Sequence, residues 1–314
     1  MPEQLLKQPP PPTANRIGCP LCGAKSPKEL YCCFDDFRVV RCTTCRFVYT
    51  TLPVDKEVLE QLYAESYYHT ETRQQYYFEN AVTAANVASE NSNIRDFRQG
   101  LEWIEKYRPS GRLLDVGCAV GVFLAIAKDR GWDVTGVDVS PFAVAYAREK
   151  LGVNAVAGEL EDVAFPDGHF DVITLWDVIE HFPDPIATLR EVRRILKDDG
   201  LLFVNTPNEQ SLLKVFARFF YCASGGKFTY PVRKMYHQWH LTYFTAESLQ
   251  RALRLSGFRT ECMKRKCISL MKARGRPWER TVVEMLSWPE RLLGRETELL
   301  AIAKKDAASA EPPA

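Results

Sequence analysis

The stretch Leu113-Leu114-Asp115-Val116-Gly117-Cys118-Ala119-Val120-Gly121-Val122-Phe123-Leu124 decides the fold of this chain. It is typical of a buried strand that runs into a tight turn and then into a helix. Gly117 and Gly121 allow the unusual backbone dihedral angles and the close ligand approach that such a turn needs. Free N–H groups at a helix start favour an electron-rich ligand group. The turn is therefore predicted to bind a ligand.

The turn differs from two common nucleotide-binding loops. Ala119 and Val122 occupy the second and third glycine positions of the dinucleotide fingerprint, and no Gly-Lys-Ser/Thr sequence follows. Asp115, inside the strand, would repel a phosphate and suits a cationic amine. Asp138 ends a second strand, where an acid can hold ribose hydroxyls. The pattern indicates a positively charged nucleoside ligand.

Strand and helix patterns alternate from residue 112 to residue 206, which predicts an α/β fold with a parallel sheet. A helix at about 245–256 follows an insertion at about 208–240. The predicted strands are Arg112–Val116, Asp133–Asp138, Ala155–Ala157, Phe170–Leu175, Leu201–Asn205, a strand from Phe258, and Glu298–Ala303.

Two C-x-x-C pairs, separated by nineteen residues, precede this domain: Cys19 and Cys22, then Cys42 and Cys45. This spacing is typical of a tetrahedral Zn²⁺ site, since each pair forms a tight knuckle with converging thiolates. Four protein ligands leave no open position, so the metal is expected to be structural. The adjacent cysteines at 32 and 33 suit a strand better than a knuckle and are excluded from the ligand set.

Five regions follow from these patterns. Residues 1–15 form a disordered proline-rich tail, 16–52 a zinc ribbon, 53–110 a helical linker or cap, 111–306 the α/β domain, and 307–314 a disordered tail. In the cap, Phe97, Leu101, Ile104 and Tyr107 are expected to share one helix face.

The segment 113–206 resembles the class I S-adenosylmethionine-dependent methyltransferases, whose Rossmann-like sheet has seven strands. Ala119 replaces the usual middle glycine of that family. The resemblance implies that Asp115, Gly117, Cys118 and Gly121 hold the methionine part of the cofactor. Asp138 would then bridge the ribose hydroxyls. The remaining cofactor contacts implied are Val139, Glu159 and Leu160 at the adenine, and Trp176 and Asp177 beside the methionine moiety.

A hydroxyl acceptor needs a group that takes its proton, and histidine is the natural candidate. His181 follows a strand's carboxyl end, where α/β sites lie. His240 begins the segment His240-Leu241-Thr242-Tyr243-Phe244-Thr245, which resembles a family segment that faces the cleft. Both are candidate catalytic bases. Cys118 is expected to be a packing residue and not a nucleophile, because transfer from a sulfonium needs no covalent enzyme intermediate.

The 314 residues carry 41 basic and 40 acidic side chains, a net charge of +1 that argues against nucleic acid as a partner. No apolar run reaches the roughly 18–20 residues that span a bilayer. No secretory signal is readable, and a cytoplasmic location is expected. A basic stretch at 251–280 favours an anionic substrate, whereas a solvated face is the plainer interpretation.

The insertion at 208–240 carries an apolar stripe and is predicted to be a lid over the substrate pocket. Simple packing and a membrane-surface helix are the alternatives, of which the last is not favoured. Tyr67 and Tyr68 resemble a tyrosine-rich family segment that approaches the cofactor or substrate. The sequence leaves the oligomeric state open.

These observations predict a methyltransferase that uses S-adenosylmethionine, contains structural zinc and acts on a small or glycosylated metabolite. O-methylation is favoured, and C-methylation of a nucleotide sugar comes next. Two alternatives stay open: an RNA methyltransferase that reads its substrate with the zinc ribbon, and a non-catalytic protein that retains the fold.

Overall fold

The computed structural model describes residues 18–25, 28–35, 37–51, 92–236, 239–267 and 277–307. The predictions for residues 1–15, for Tyr67 and Tyr68, and for the last residues of the chain fall outside these ranges, as does most of the predicted helical cap.

The strands of the described residues form two sheets. Their bounds are β1 Lys28–Phe34, β2 Phe37–Cys42, β3 Val48–Thr50, β4 Arg112–Val116, β5 Asp133–Asp138, β6 Asn154–Ala157, β7 Phe170–Trp176, β8 Leu196–Pro207, β9 Thr242–Tyr243, β10 Phe258–Lys266 and β11 Glu298–Lys305.

The helices are α1 Ser92–Glu105, α2 Val122–Asp129, α3 Pro141–Leu151, α4 Pro185–Ile195, α5 Leu212–Ala223, α6 Tyr230–Met235, α7 Ala246–Leu255 and α8 Pro277–Leu293. A short 3₁₀ turn spans Ile179–His181.

The larger sheet has seven strands in the order β10-β11-β8-β7-β4-β5-β6, which confirms the predicted Rossmann-like sheet. The neighbours from β8 to β6 are parallel, and β11 is antiparallel to both β8 and β10. β7 is buried on both faces apart from its last residue, Trp176. Near-continuous apolar strands of this kind are expected where helices cover both faces of a parallel sheet.

β8 is longer than predicted. It begins at Leu196, which pairs with Phe170, and regular pairing resumes at Leu201 opposite Val172 after a register shift. The polar residues between these two positions carry no strand pattern, so the sequence signal begins only at Leu201. The predicted strand therefore covered only the apolar middle of β8.

Helix ends follow the sequence closely. Ser140 caps α3 by accepting from Ala143 N–H, and Asp184 caps α4 by accepting from two backbone N–H groups. Thr245 and Ser248 form a reciprocal capping box at the start of α7. These caps fix where each helix leaves the carboxyl edge of the sheet.

α1 packs on the larger sheet through Ile94, Leu101 and Ile104. The helix ends at Glu105, so the prediction that Tyr107 shares this face is wrong, and Tyr107 is 42% exposed. The α/β core therefore begins before residue 111.

The smaller sheet is antiparallel, in the order β1-β2-β3-β9. Its first three strands come from the cysteine-bearing module, whereas β9 comes from the segment before α7. Val48 pairs with Tyr243 and Tyr49 with Thr242, and Thr50 N–H donates to the Leu241 carbonyl at 2.9 Å. The cysteine module is thus hydrogen-bonded into the second half of the chain.

The insertion packs on this smaller sheet. α5 turns Ala217 and Tyr221 into the core that the sheet shares with α6. The buried Lys214 on the same face binds the buried Glu209 at 3.0 Å. The predicted apolar stripe instead leaves Phe219 and Phe220 exposed. Among the described residues, no helix has the length and apolarity that crossing a membrane requires.

Candidate active site

The loop after β4 places three residues in the left-handed backbone region: Gly117, Ala119 and Gly121. Gly117 N–H donates to the Val137 carbonyl at 2.8 Å, and Ala119 N–H donates to Asp138 Oδ2 at 2.8 Å. The loop is therefore held against the end of β5. A Cβ at Gly117 would lie 2.5 Å from Val178 Cγ2, so glycine is required by close packing as well as by its φ of +74°.

Asp115 and Asp138 are buried at the ends of neighbouring parallel strands. Thr174 Oγ1 donates to Asp115 Oδ1 at 2.6 Å. Burial raises the pKa of Asp115 to about 8, and the nearby Asp138 charge adds to the rise. Burial also raises the pKa of Asp138, although the N–H groups of Ser140 and Ala119 oppose it. A ligand with positive charge would favour the ionised form of both carboxyls.

A cavity of about 370 Å³ opens at this carboxyl edge of the sheet. Lys and Arg are absent from the described residues that line it. Six carboxyl side chains line it, so the lining suits a ligand with positive charge, whose binding would favour their ionised forms. These side chains are Asp115, Asp138, Glu159, Glu161, Asp177 and Asp184.

An aromatic cluster packs beneath one side of the cavity. Trp176 contacts Phe97 at 5.0 Å and Phe123 at 5.2 Å between ring centroids. The Trp176 indole N–H is buried and has no hydrogen-bond partner within the described part of the chain. Asn205 Nδ2 donates to Asp177 Oδ1 at 2.7 Å and orients that carboxylate.

The two candidate bases are in contact with each other, and one of them lines the cavity. His181 lines it, and His240 packs edge-to-face on His181 with ring centroids 4.9 Å apart. His181 Nδ1 donates to the Trp239 carbonyl at 2.7 Å. Glu180 is buried next to the two histidines. Burial raises the pKa of Glu180 to about 8, and the nearby Asp177 charge adds to the rise.

Most of the predicted cofactor residues line this cavity: Asp115, Gly117, Cys118, Asp138, Val139, Glu159, Leu160, Trp176 and Asp177. Gly121 does not. It is the N-cap of α2. A Cβ there would lie 2.9 Å from Ala147 Cβ, so close packing against α3 requires glycine at this position. Cys118 is buried, and burial raises the pKa of its thiol, in keeping with a packing residue.

The structure also reveals site residues that sequence reasoning did not single out. Thr174 and Asn205 hold two of the acids, Phe97 and Phe123 line the cavity, and Glu180 joins the histidine pair. Only Glu180 had a sequence signal, because it precedes His181 directly. The other contacts depend on pairing across strands or on the packing of α1.

The predicted lid and basic stretch lie elsewhere. Among the described residues of 208–240 and 251–280, none lines the cavity. The insertion packs on the smaller sheet because Ala217 and Tyr221 are buried there.

The four cysteines of the two C-x-x-C pairs form one cluster. Cys19 Sγ lies 3.6 Å from Cys45 Sγ, and Cys22 Sγ lies 3.7 Å from Cys42 Sγ. A tetrahedral centre with Zn–S bonds of about 2.3 Å separates its sulfurs by about 3.8 Å, so the four side chains fit zinc.

The two knuckles have matching backbones. Gly23 N–H donates to the Cys19 carbonyl and Arg46 N–H to the Cys42 carbonyl, and both donors have positive φ. Burial opposes ionisation of Cys42, but the N–H groups of Cys45 and Thr44 bring the pKa of its thiol down to about 7. Cys32 and Cys33 are outside the cluster, as predicted.

Comparison with known proteins agrees with this geometry. The sequence profile of a family described as a methyltransferase domain matches residues 90–262, more than half of the chain. The chain belongs to this methyltransferase family. With its seven-stranded sheet, it is a class I S-adenosylmethionine-dependent methyltransferase, as the sequence resemblance implies.

The methyltransferase is 36% identical over 106 residues to a protein of Xanthomonas campestris named ubiquinone biosynthesis O-methyltransferase, covering 32% of this chain and 44% of that protein. A protein of the same name from Pseudomonas aeruginosa is 31% identical over 112 residues, covering 34% and 48%. The matched segment spans about half the length of these relatives.

Among solved structures, the methyltransferase resembles a chain in the Haloferax volcanii complex between the Trm112 methyltransferase activator and a methyltransferase. The TM-score is 0.50 at 19% identity, and the match covers 73% of this chain and 98% of that chain. At this identity the likeness shows the fold alone.

Proposed function

We propose that this methyltransferase transfers a methyl group from S-adenosylmethionine to a hydroxyl oxygen of a small or glycosylated, uncharged metabolite. The observation that carries the proposal is the cavity at the carboxyl edge of the sheet, with six carboxyl side chains and no basic side chain among its described lining residues. Such a lining favours a ligand with positive charge and disfavours a phosphate-rich one.

The cofactor end of the cavity lies at the β4 and β5 carboxyl ends. Asp115 would bind the cationic methionine end, with Trp176 and Asp177 beside the methionine moiety. Asp138, Val139, Glu159 and Leu160 would hold the nucleoside. When bound, S-adenosylmethionine supplies an electrophilic methyl group on a sulfonium.

The acceptor end lies at His181. A hydroxyl oxygen attacks well only when its proton is lost, and we propose that the His181–His240 pair promotes that loss. The relatives named O-methyltransferases support oxygen as the acceptor atom. The acidic lining also favours an uncharged acceptor over a nucleotide sugar, whose diphosphate it would repel.

We further propose that the four-cysteine cluster holds one structural Zn²⁺, supported by the sulfur–sulfur separations and by the matched knuckles. In the fold, this ion would stabilise the smaller sheet. A cluster of four thiolate ligands fits a reducing compartment such as the cytoplasm, which we propose as the location.

Calorimetry with S-adenosylhomocysteine and S-adenosylmethionine tests the cofactor site. Asp115→Asn keeps an oxygen that can accept from Thr174 but removes the charge. We expect its affinity for S-adenosylmethionine to fall by about 10–150-fold, the equivalent of the 1.5–3 kcal/mol typical of a charged hydrogen bond. Asp162→Asn, on a carboxyl outside the cavity lining, is the matched control. Equal affinities in the two variants would reject the site.

A turnover screen with methyl-labelled cofactor tests the acceptor class. The panel contains phenols and other small hydroxyl compounds, neutral glycosides, nucleotide sugars and RNA. Label on an oxygen of an uncharged compound is expected. Turnover confined to nucleotide sugars or RNA would overturn the acceptor assignment and leave the cofactor site intact.

A further inference from the structure

A second metal-type cluster lies beside the acceptor end of the cavity. Glu180, His181 and His240 each offer a ligand atom, and these atoms all lie within 4.8 Å of one another. Glu180 is only 2% exposed. Its Oε2 accepts from Thr206 Oγ1 at 2.8 Å, whereas its Oε1 is buried without a hydrogen-bond partner among the described residues. A buried carboxylate oxygen left unsatisfied needs a ligand or a cation to explain it.

Hydrogen bonds behind the cluster orient its members. The Trp239 carbonyl can only accept, so the neutral His181 ring carries its proton on Nδ1 and its lone pair on Nε2. Metal-binding histidines usually donate their other N–H to a carbonyl or a carboxylate in this way. Thr206 Oγ1 orients Glu180 in a similar way, because it donates to Glu180 Oε2.

Backbone contacts hold the His240 segment in place. Leu241 N–H donates to the Glu180 carbonyl at 2.8 Å, which anchors the residue next to His240 directly over the 3₁₀ turn. The same segment continues into β9 and the smaller sheet. The three side chains therefore come from two segments that are fixed against each other.

The separations suit a metal centre that tightens on binding. Ligand atoms bound at about 2.0–2.1 Å with tetrahedral angles lie about 3.3 Å apart. The observed upper separation of 4.8 Å exceeds this value by at most about 1.5 Å. Two imidazoles and one carboxylate form a set that binds first-row divalent ions and leaves coordination positions open.

We propose that Glu180, His181 and His240 bind one divalent transition-metal ion of the zinc, iron(II) or cobalt(II) type, distinct from the four-cysteine site. His181 also lines the cavity, so the ion would lie beside the methyl acceptor. This second role rests on the proposed function: an acceptor hydroxyl coordinated there would be more acidic, and its proton would pass to water.

Hydrogen bonding alone is the competing explanation for the cluster. A Glu–His pair can orient a histidine base without any metal, and it would then show no specific affinity for a cation. Metal counting without cofactor or acceptor separates the two explanations. It also separates this proposal from the proposed function, because neither S-adenosylmethionine binding nor turnover enters the measurement.

The experiment uses the full chain without a histidine tag, prepared with one zinc per chain in the four-cysteine cluster, so that the second site starts without zinc. The protein is equilibrated with Co²⁺, passed through a desalting column and analysed for both metals. We expect about one cobalt per chain in addition to zinc, with weak visible bands and no thiolate charge-transfer band. Glu180→Gln and His240→Gln should weaken cobalt binding beyond the roughly 10–100-fold that loss of an outer partner causes.

Two further variants complete the test. Thr206→Val should weaken cobalt binding by about 10–100-fold, because it removes an outer hydrogen bond. His169→Gln is the matched control, since His169 lies at the start of β7 next to Arg112, outside the cluster. Retained zinc and an unchanged circular dichroism spectrum show that each variant is folded. Less than one cobalt per wild-type chain, or cobalt binding that survives both ligand substitutions, would overturn the proposal.

Discussion

The two glycines that flank α2 provide a direct test of why the cofactor loop has its sequence. Gly121 at the start of the helix has φ +83°, and Gly131 after its end has φ +89°. An added Cβ at Gly121 would lie 2.9 Å from Ala147 Cβ and 3.0 Å from Val153 Cγ2. At Gly131 nothing lies within 4 Å. Alanine thus meets the same backbone strain at both sites but a steric clash only at Gly121.

The magnitudes follow from these two contributions. Left-handed backbone costs alanine about 1–2 kcal/mol, and overpacking a close-packed interior costs about 1–3 kcal/mol more. The free energy of unfolding should therefore fall by about 2–5 kcal/mol in Gly121→Ala and by about 1–2 kcal/mol in Gly131→Ala. The gain from a less flexible unfolded chain is common to both and cancels in the comparison.

Urea unfolding followed by circular dichroism measures both variants, with the slope checked for constancy. The expected difference between them is about 1–3 kcal/mol. If the unfolding free energies of the two variants agree within about 0.5 kcal/mol, the contacts of Gly121 with α3 do not contribute measurably to stability. In that case the assignment of Gly121 to packing would fail, and direct contact with the cofactor would become the better explanation.

Three other outcomes follow from the site. Burial raises the folded-state pKa of Asp115 to about 8, above its value in the unfolded chain, so the folded protein holds an extra proton between these two pH values. The contribution of Asp115 to stability therefore falls as pH rises through this window. Asp115→Asn should reduce that slope in cofactor-free urea titrations, and the buried Glu180, whose pKa is also raised, accounts for part of the slope that remains. S-adenosylmethionine binding at pH 7 should release a proton from the Asp115 carboxyl, seen by calorimetry in buffers of different ionisation enthalpy, and a binding heat independent of the buffer would contradict this. Cys42→Ser should remove the zinc of the four-cysteine cluster, about one per chain, and speed hydrogen exchange at the Thr50 N–H of β3, which donates to the Leu241 carbonyl; no loss of zinc by elemental analysis would count against the four-cysteine site. Ala119→Gly should stabilise the loop by about 0.5–1 kcal/mol, because Ala119 has φ +46°, and a lower urea midpoint would argue against backbone strain there.

Much of the sheet could be predicted because its strands are continuous apolar runs bounded by turn residues. β4 and β5 were predicted with their observed bounds, whereas β8 was missed at its polar beginning. The pairing of Leu196 with Phe170 depends on a partner strand, which a local pattern cannot show.

The insertion shows the opposite limit. Its apolar stripe predicted a lid over the substrate pocket, yet α5 packs on the smaller sheet through a face that carries Lys214. The charge is tolerated there because Glu209 is buried at 3.0 Å from it, and the Tyr243 ring lies 4.9 Å away. A helical pattern read alone cannot reveal a partner supplied by another segment, so the orientation of α5 was not predictable.

In the site, the residues on the strand ends and loops were predictable, because chemistry and spacing coincide in Asp115 and Asp138. Thr174, Asn205 and Thr206 were not, since each holds an acid on a different strand or turn. These hydrogen bonds exist only once the strands are in register.

The pairing of β3 with β9 has a consequence for truncation. A fragment that begins after residue 91 would keep Thr242 and Tyr243 but lose the strand that satisfies their backbone groups. It would also uncover Val232 and Tyr236, which are now buried under the smaller sheet. Such a fragment would expose an open strand edge beside an apolar surface, a combination that promotes self-association. Attempts to express the α/β core alone should therefore yield aggregates.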